Sequence, residues 1–102
     1  MDKSIAAVLE VNNSCVELNR FAGQFLTKTV LGAVSALKGG EDVRDLELLL
    51  EGSNVTVAVN GSELPLTPFP EEIIANTIIG LVSSLKGVSK IDSLKIKVRA
   101  QA

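Results

Sequence analysis

The chain has 102 residues, 46% of them hydrophobic and 22% charged, with a formal net charge of −2. That size and balance fit a single folded domain able to bury a core without a disulfide or structural metal, and they argue against disorder. There is no histidine, tryptophan or tyrosine, three phenylalanines (Phe21, Phe25, Phe69) and one cysteine, Cys15, which removes the commonest general base and metal ligand, most stacking platforms for nucleic acid, and any intrachain disulfide.

The N-terminus lacks the apolar run and cleavage site of a signal peptide, and no stretch is apolar over the length of a membrane span. A cytoplasmic protein is expected. Residues 5–11, IAAVLEV, predict a first strand, Asn12-Asn13 a turn, and residues 14–18 a short second strand. Cys15, within that strand, reads as a small buried hydrophobe in a reducing compartment. Asn19 stands at a helix N-cap position. The helix is expected to reach Lys38, which suits the negative end of its dipole, with Gly39 as a left-handed cap. DLELLLE at 45–51 predicts a third strand, and the following Gly-Ser-Asn is short enough for a hairpin.

The second half repeats this order. NVTVAVN at 54–60 is a strand, Asn60-Gly61 a hairpin turn, and residues 62–66 a short strand. Thr67 is the expected N-cap, with Pro68 at the first helical position. This helix is expected to end at Lys86-Gly87, and SLKIKVR at 93–99 is the last strand. Laid over residues 53–99 at a constant offset of 48, residues 5–51 agree at thirteen of 47 positions without a gap. GAVSALKG at 32–39 and GLVSSLKG at 80–87 are one phrase written twice, and a tandem duplication explains why.

The predicted fold class is therefore α+β: a two-layer sandwich from a tandem β-β-α-β duplication. Its two helices pack on one face of a mainly antiparallel sheet, related by a pseudo-twofold axis. The arrangement resembles a ferredoxin-like topology with an extra strand per half. Residues 1–102 form a single domain made of two internal repeats, 5–51 and 53–99.

On the helices, Ile74, Ile78, Leu81, Val82 and Leu85, matched by Leu26, Val30, Ala33, Val34 and Leu37, form the stripe expected to face the sheet. A second stripe holds Ile73, Thr77, Gly80 and Ser84, matched by Phe25, Thr29, Gly32 and Ala36. Glycine costs about 1 kcal/mol inside a helix, yet it recurs in both copies. The expectation is that the two helices cross closely there, at Thr29, Gly32, Thr77 and Gly80. Leu31 and Ile79, aliphatic at matching positions on the polar flank, are candidates for an interface. So are the charges on the closing strands, complementary either within the sheet or between subunits: Glu47 and Glu51 in one copy stand where Lys95 and Arg99 stand in the other, with Lys97 between them.

Other motifs yield to simpler readings. Three Asn-X-Ser/Thr sequences read as turns, LKGG at 37–40 lacks the spaced glycines of a phosphate loop, and LPLTPFPEE at 64–72 is a helix start. No catalytic, cofactor-binding or metal-binding residue is expected. The favoured function is a non-enzymatic protein-interaction or assembly module that self-associates as a homodimer. A separate protein partner is also compatible with these surfaces, whereas nucleic acid and membrane partners are not expected. The alternative is a small-ligand or peptide binder, acting by strand addition at a sheet edge.

Overall fold

The computed structural model describes residues 5–37, 42–52, 54–85, 88 and 90–100. Alternating hydrophobic residues form the strands β1 (Ile5–Val11), β3 (Asp45–Glu51), β4 (Asn54–Val59) and β6 (Ser93–Ala100). The short strands β2 (Ser14–Val16) and β5 (Ser62–Leu64) fold back on β1 and β4, and the helices are α1 (Arg20–Ser35) and α2 (Pro68–Ser83). The six strands form one sheet in the order β2-β1-β6-β3-β4-β5, antiparallel at every junction. β1 and β3 both run against β6, so they share a direction with β6 between them; β4 and β6 are separated by β3 in the same way. Each helix follows a short edge strand and leads into a closing strand that runs the opposite way, α1 from β2 to β3 and α2 from β5 to β6, with two strands between them in the sheet.

Period-two alternation decides what is buried. Leu46, Leu48 and Leu50 of β3, Val55, Val57 and Val59 of β4, and Leu94, Ile96 and Val98 of β6 point to one face, with Leu9 and Val11 of β1. The helices cover that face with Leu26, Val30 and Val34 from α1 and Ile74, Ile78 and Val82 from α2. Each such side chain contributes about 1.5–3 kcal/mol when fully buried. The result is a two-layer α+β sandwich with an 18 Å short dimension.

The turns follow their residue types. Asn12 and Asn13 have φ of 51° and 68°, and Asn60 and Gly61 have 51° and 85°, the doubly positive pattern of a tight hairpin. The pairing of β3 with β4 runs out to Glu51↔Asn54, and Gly52, next to Glu51, takes a φ of 61°. Asn19 caps α1, its Oδ1 accepting from the Ala22 N–H at 2.7 Å. Thr67 occupies the matching position before α2 but makes no side-chain cap bond, and the proline at N1 leaves one fewer N–H to satisfy.

Both helices end three residues earlier than the sequence predicts. At the caps, the N–H groups of Ala36 and Ser84 bond back three residues, to the Ala33 and Leu81 carbonyls at 3.3 and 3.2 Å, a tightened last turn. The Ser35 hydroxyl donates to the Gly32 carbonyl at 2.8 Å, and those of Ser83 and Ser84 donate to the Gly80 carbonyl at 3.2 and 3.0 Å. Such serine bonds compete with continued helix. The expected terminators Lys38, Gly39, Lys86 and Gly87 lie outside the described residues. Cys15, expected to be buried, is exposed. It sits opposite Glu10 on β1, on the side away from the helices, while its neighbour Val16 faces Leu9 and the core.

Candidate functional site

The sandwich has two broad outer faces, one of strands and one of helices. On the strand face, β3 and β6 lie side by side, so the acidic side chains of one meet the basic side chains of the other. Glu47 is directly opposite Lys97, with Nζ 3.8 Å from Oε2, and Asp45 is opposite Arg99, whose Nε donates to Oδ1 at 3.1 Å. Lys95 lies between Leu49 of β3 and Glu10 of β1, and Glu51 faces Ser93. Complementarity among the predicted interface charges Glu47, Lys97 and Arg99 is therefore satisfied inside the chain. For Glu47 the contrast with Lys95 becomes a contact with Lys97, two residues on, while Glu51 faces Ser93 and Arg99 pairs with Asp45. These pairs are exposed and each contributes about 0–1 kcal/mol.

On the helix face the predicted close crossing does not form. A Cβ built on Gly32 or Gly80 meets nothing within 4 Å, and both glycines are exposed. Thr29 is half-buried, while Thr77 is exposed and its hydroxyl donates to the Ile73 carbonyl at 2.7 Å. The stripe that was expected between the helices instead faces outward. Seating the helices on the sheet through residues 26, 30 and 34, and 74, 78 and 82, rotates it there. Leu31 and Ile79 are half-buried and pack against the edge of the core.

The apolar residues left uncovered are others. Phe21 is 72% exposed, Phe69 71%, Phe25 52% and Ile73 50%. Phe21 and Phe69 are the same position in the two halves, as are Phe25 and Ile73. The rings of Phe21 and Phe25 stack on the first turns of α1, centroids 5.7 Å apart and tilted by 51°. An open groove beside them is completed by Leu81 of α2 and by Ser84 and Leu85 just past its end. The N-terminal half of α1 thus lies next to the C-terminal end of α2, so the helices run antiparallel.

Two asparagines matter more than their place in turns suggested. Asn60 Oδ1 accepts from the Arg44 and Asp45 N–H groups at 2.8 and 2.9 Å, and its Nδ2 donates to the Asp42 carbonyl at 3.0 Å. Asn12 does the same for the opposite half: Oδ1 accepts from Asp92 and Ser93 at 2.7 and 3.0 Å, and Nδ2 donates to the Lys90 carbonyl at 2.7 Å. Each hairpin holds the start of the closing strand of the other half. Glu71 has a further task, accepting the Val55 N–H at 2.8 Å on the edge of β4 beyond the end of β5.

Among the described residues no group of three or more Cys, Asp or Glu side chains is placed to hold a metal ion. Compared with protein-family models, with curated proteins and with solved structures, the chain matches none. Among the described residues no helix is long and apolar enough to cross a membrane. The sheet edges β2 and β5 are three residues long, and Pro65 follows β5 directly.

Proposed function

We propose that the chain is a tandem duplication of a β-β-α-β unit, its halves related by a pseudo-twofold axis. In this reading it is a non-enzymatic interaction module that self-associates as a homodimer through the outer face of its helix layer. Duplication is supported by the strand registers: adding 48 to one half and subtracting it from the other turns the pair Leu9↔Ile96 into Val57↔Leu48, and Leu9↔Val16 into Val57↔Leu64. Exchanging the halves also reverses the strand order onto itself. The matched bonds of Asn12 and Asn60 carry the same relation to the level of single atoms.

Self-association rests on one observation. Of the five exposed large hydrophobics among the described residues, four (Phe21, Phe25, Phe69 and Ile73) lie on the helix face at matching positions. Taking about 200 Å² for each large side chain, their exposed fractions amount to about 500 Å² of apolar surface. That is more than half of the roughly 800 Å² each partner contributes to a standard interface, divided between two clusters at opposite ends of the face, since the helices run antiparallel. A face repeated by an internal twofold is suited to meet a second copy of itself, as isologous dimers do. Cytoplasmic residence, and a partner that is neither nucleic acid nor membrane, belong to the same proposal.

The test is the native mass of the wild type and of Phe21→Ser/Phe69→Ser by light scattering, with circular dichroism to confirm that both are folded. The wild type is expected as two chains and the double variant as one. A folded variant that remains dimeric would remove the helix face from the interface.

A further inference from the structure

Resting on that reading, we infer that the dimer stacks α1 of each copy on α2 of the other, and that Lys28 and Glu72 determine this choice. Antiparallel helices side by side leave two ways of placing a second copy face to face about a twofold axis through the middle of the face. Either each helix meets its own equivalent, or α1 meets α2 twice. Both stacks lay the bulky N-terminal half of one helix over the small residues near Gly32 or Gly80 of the facing helix. Shape alone does not choose between them.

Charge does. Arg20–Ser35 carries Arg20 and Lys28 and no acid, whereas Pro68–Ser83 carries Glu71 and Glu72 and no base. Glu71 is turned inward onto Val55 at 2.8 Å, which leaves Glu72, an exposed residue, as the acid of that face. Lys28 is exposed beside Phe21 and Phe25, and among the described residues neither Lys28 nor Glu72 belongs to an ion pair. Lys28 lies at the midpoint of the 16-residue α1. Stacking α1 on its own equivalent would therefore bring the two Lys28 side chains together at the axis. Stacking α1 on α2 instead places Lys28 about 5 Å along the helix axis from Glu72, within reach of a lysine. The twofold supplies that pair twice, and opposed charges of this kind select register and orientation.

Sedimentation equilibrium on the full chain tests this with Lys28→Glu, Lys28→Gln, Lys28→Glu/Glu72→Lys and the Phe21→Ser/Phe69→Ser variant. Lys28→Glu is expected to raise the dissociation constant about tenfold, Lys28→Gln to raise it less, and the double charge swap to return it to within about threefold of wild type. Tighter association of Lys28→Gln would indicate relief of a Lys28–Lys28 contact and overturn the α1-on-α2 stack. An unchanged Lys28→Glu, or a double swap that fails to restore affinity, would also overturn it. If any of these occurs while Phe21→Ser/Phe69→Ser still abolishes the dimer, the helix-face reading stands and only the stacking falls. A wild type that is monomeric throughout would remove both.

Discussion

Replacing Asn60 by alanine removes three hydrogen bonds at once, two accepted by Oδ1 at 2.8 and 2.9 Å and one donated by Nδ2 at 3.0 Å. At about 0.5–1.5 kcal/mol each, and toward the low end because water reaches the site, their loss costs about 2 kcal/mol. Alanine must also adopt a φ of 51°, for a further cost of about 1 kcal/mol. Asn60→Ala should therefore lose about 3 kcal/mol and Asn60→Gly about 2, since glycine accepts the backbone angle at no steric cost. Asn12, with the same φ and the same three bonds, should give the same pair of values. Urea unfolding followed by circular dichroism is the appropriate assay, because the chain has no Trp or Tyr to report by fluorescence. A shift below about 0.5 kcal/mol at either site, or alanine no worse than glycine, would refute the clamp. In thermal scans the expected loss corresponds to a fall of roughly 4–8 °C per kcal/mol.

Other consequences follow from the same geometry. Gly80→Ala, measured at concentrations where the chain is monomeric, should stabilise the chain by about 1 kcal/mol, since the added Cβ meets nothing within 4 Å; destabilisation would mean that the helix face is covered within the chain. Glu71→Ala should cost about 1.5–3 kcal/mol by leaving the part-buried Val55 N–H without its carboxylate, with Glu71→Gln recovering most of it, and equal losses for both variants would assign the effect elsewhere. Ile96→Ala, at a fully buried position in the middle strand β6, should cost about 2–5 kcal/mol in urea unfolding. Lys97→Glu, which breaks an exposed pair on the strand face, should cost no more than about 1 kcal/mol and leave the native mass unchanged; a change of mass would move the interface to the sheet.

The strands and turns were readable because their signals are local. Alternation in DLELLLE and SLKIKVR places Leu48 and Ile96 in the core, and Asn60-Gly61 takes the positive φ angles a tight hairpin needs. The facing of the helices was not readable in full. The stripe of Leu26 and Ile74 meets the sheet as the helical spacing predicts, but the spacing does not show that Phe25 and Ile73, in the second stripe, are left exposed. What the second stripe meets depends on how the two helices are set beside each other, a long-range property. Strand order was hidden for the same reason: the contrast of Glu47 with Lys95 is visible in the sequence, but the pairing of Glu47 with Lys97 exists only once β3 and β6 are neighbours. Asn12 and Asn60 carried a signal in being identical across the halves, yet a turn was a sufficient reason for each. Their bonds to the other half reach across 78 to 81 residues for Asn12 and 15 to 18 for Asn60.

The native mass of the wild type across a dilution series, beside that of Phe21→Ser/Phe69→Ser, bears most directly on the helix face as a surface for self-association. The expected result is a wild type with the mass of two 10.7 kDa chains that dissociates on dilution, and a folded variant with the mass of one. A wild type that keeps the mass of a single chain at every concentration would contradict it.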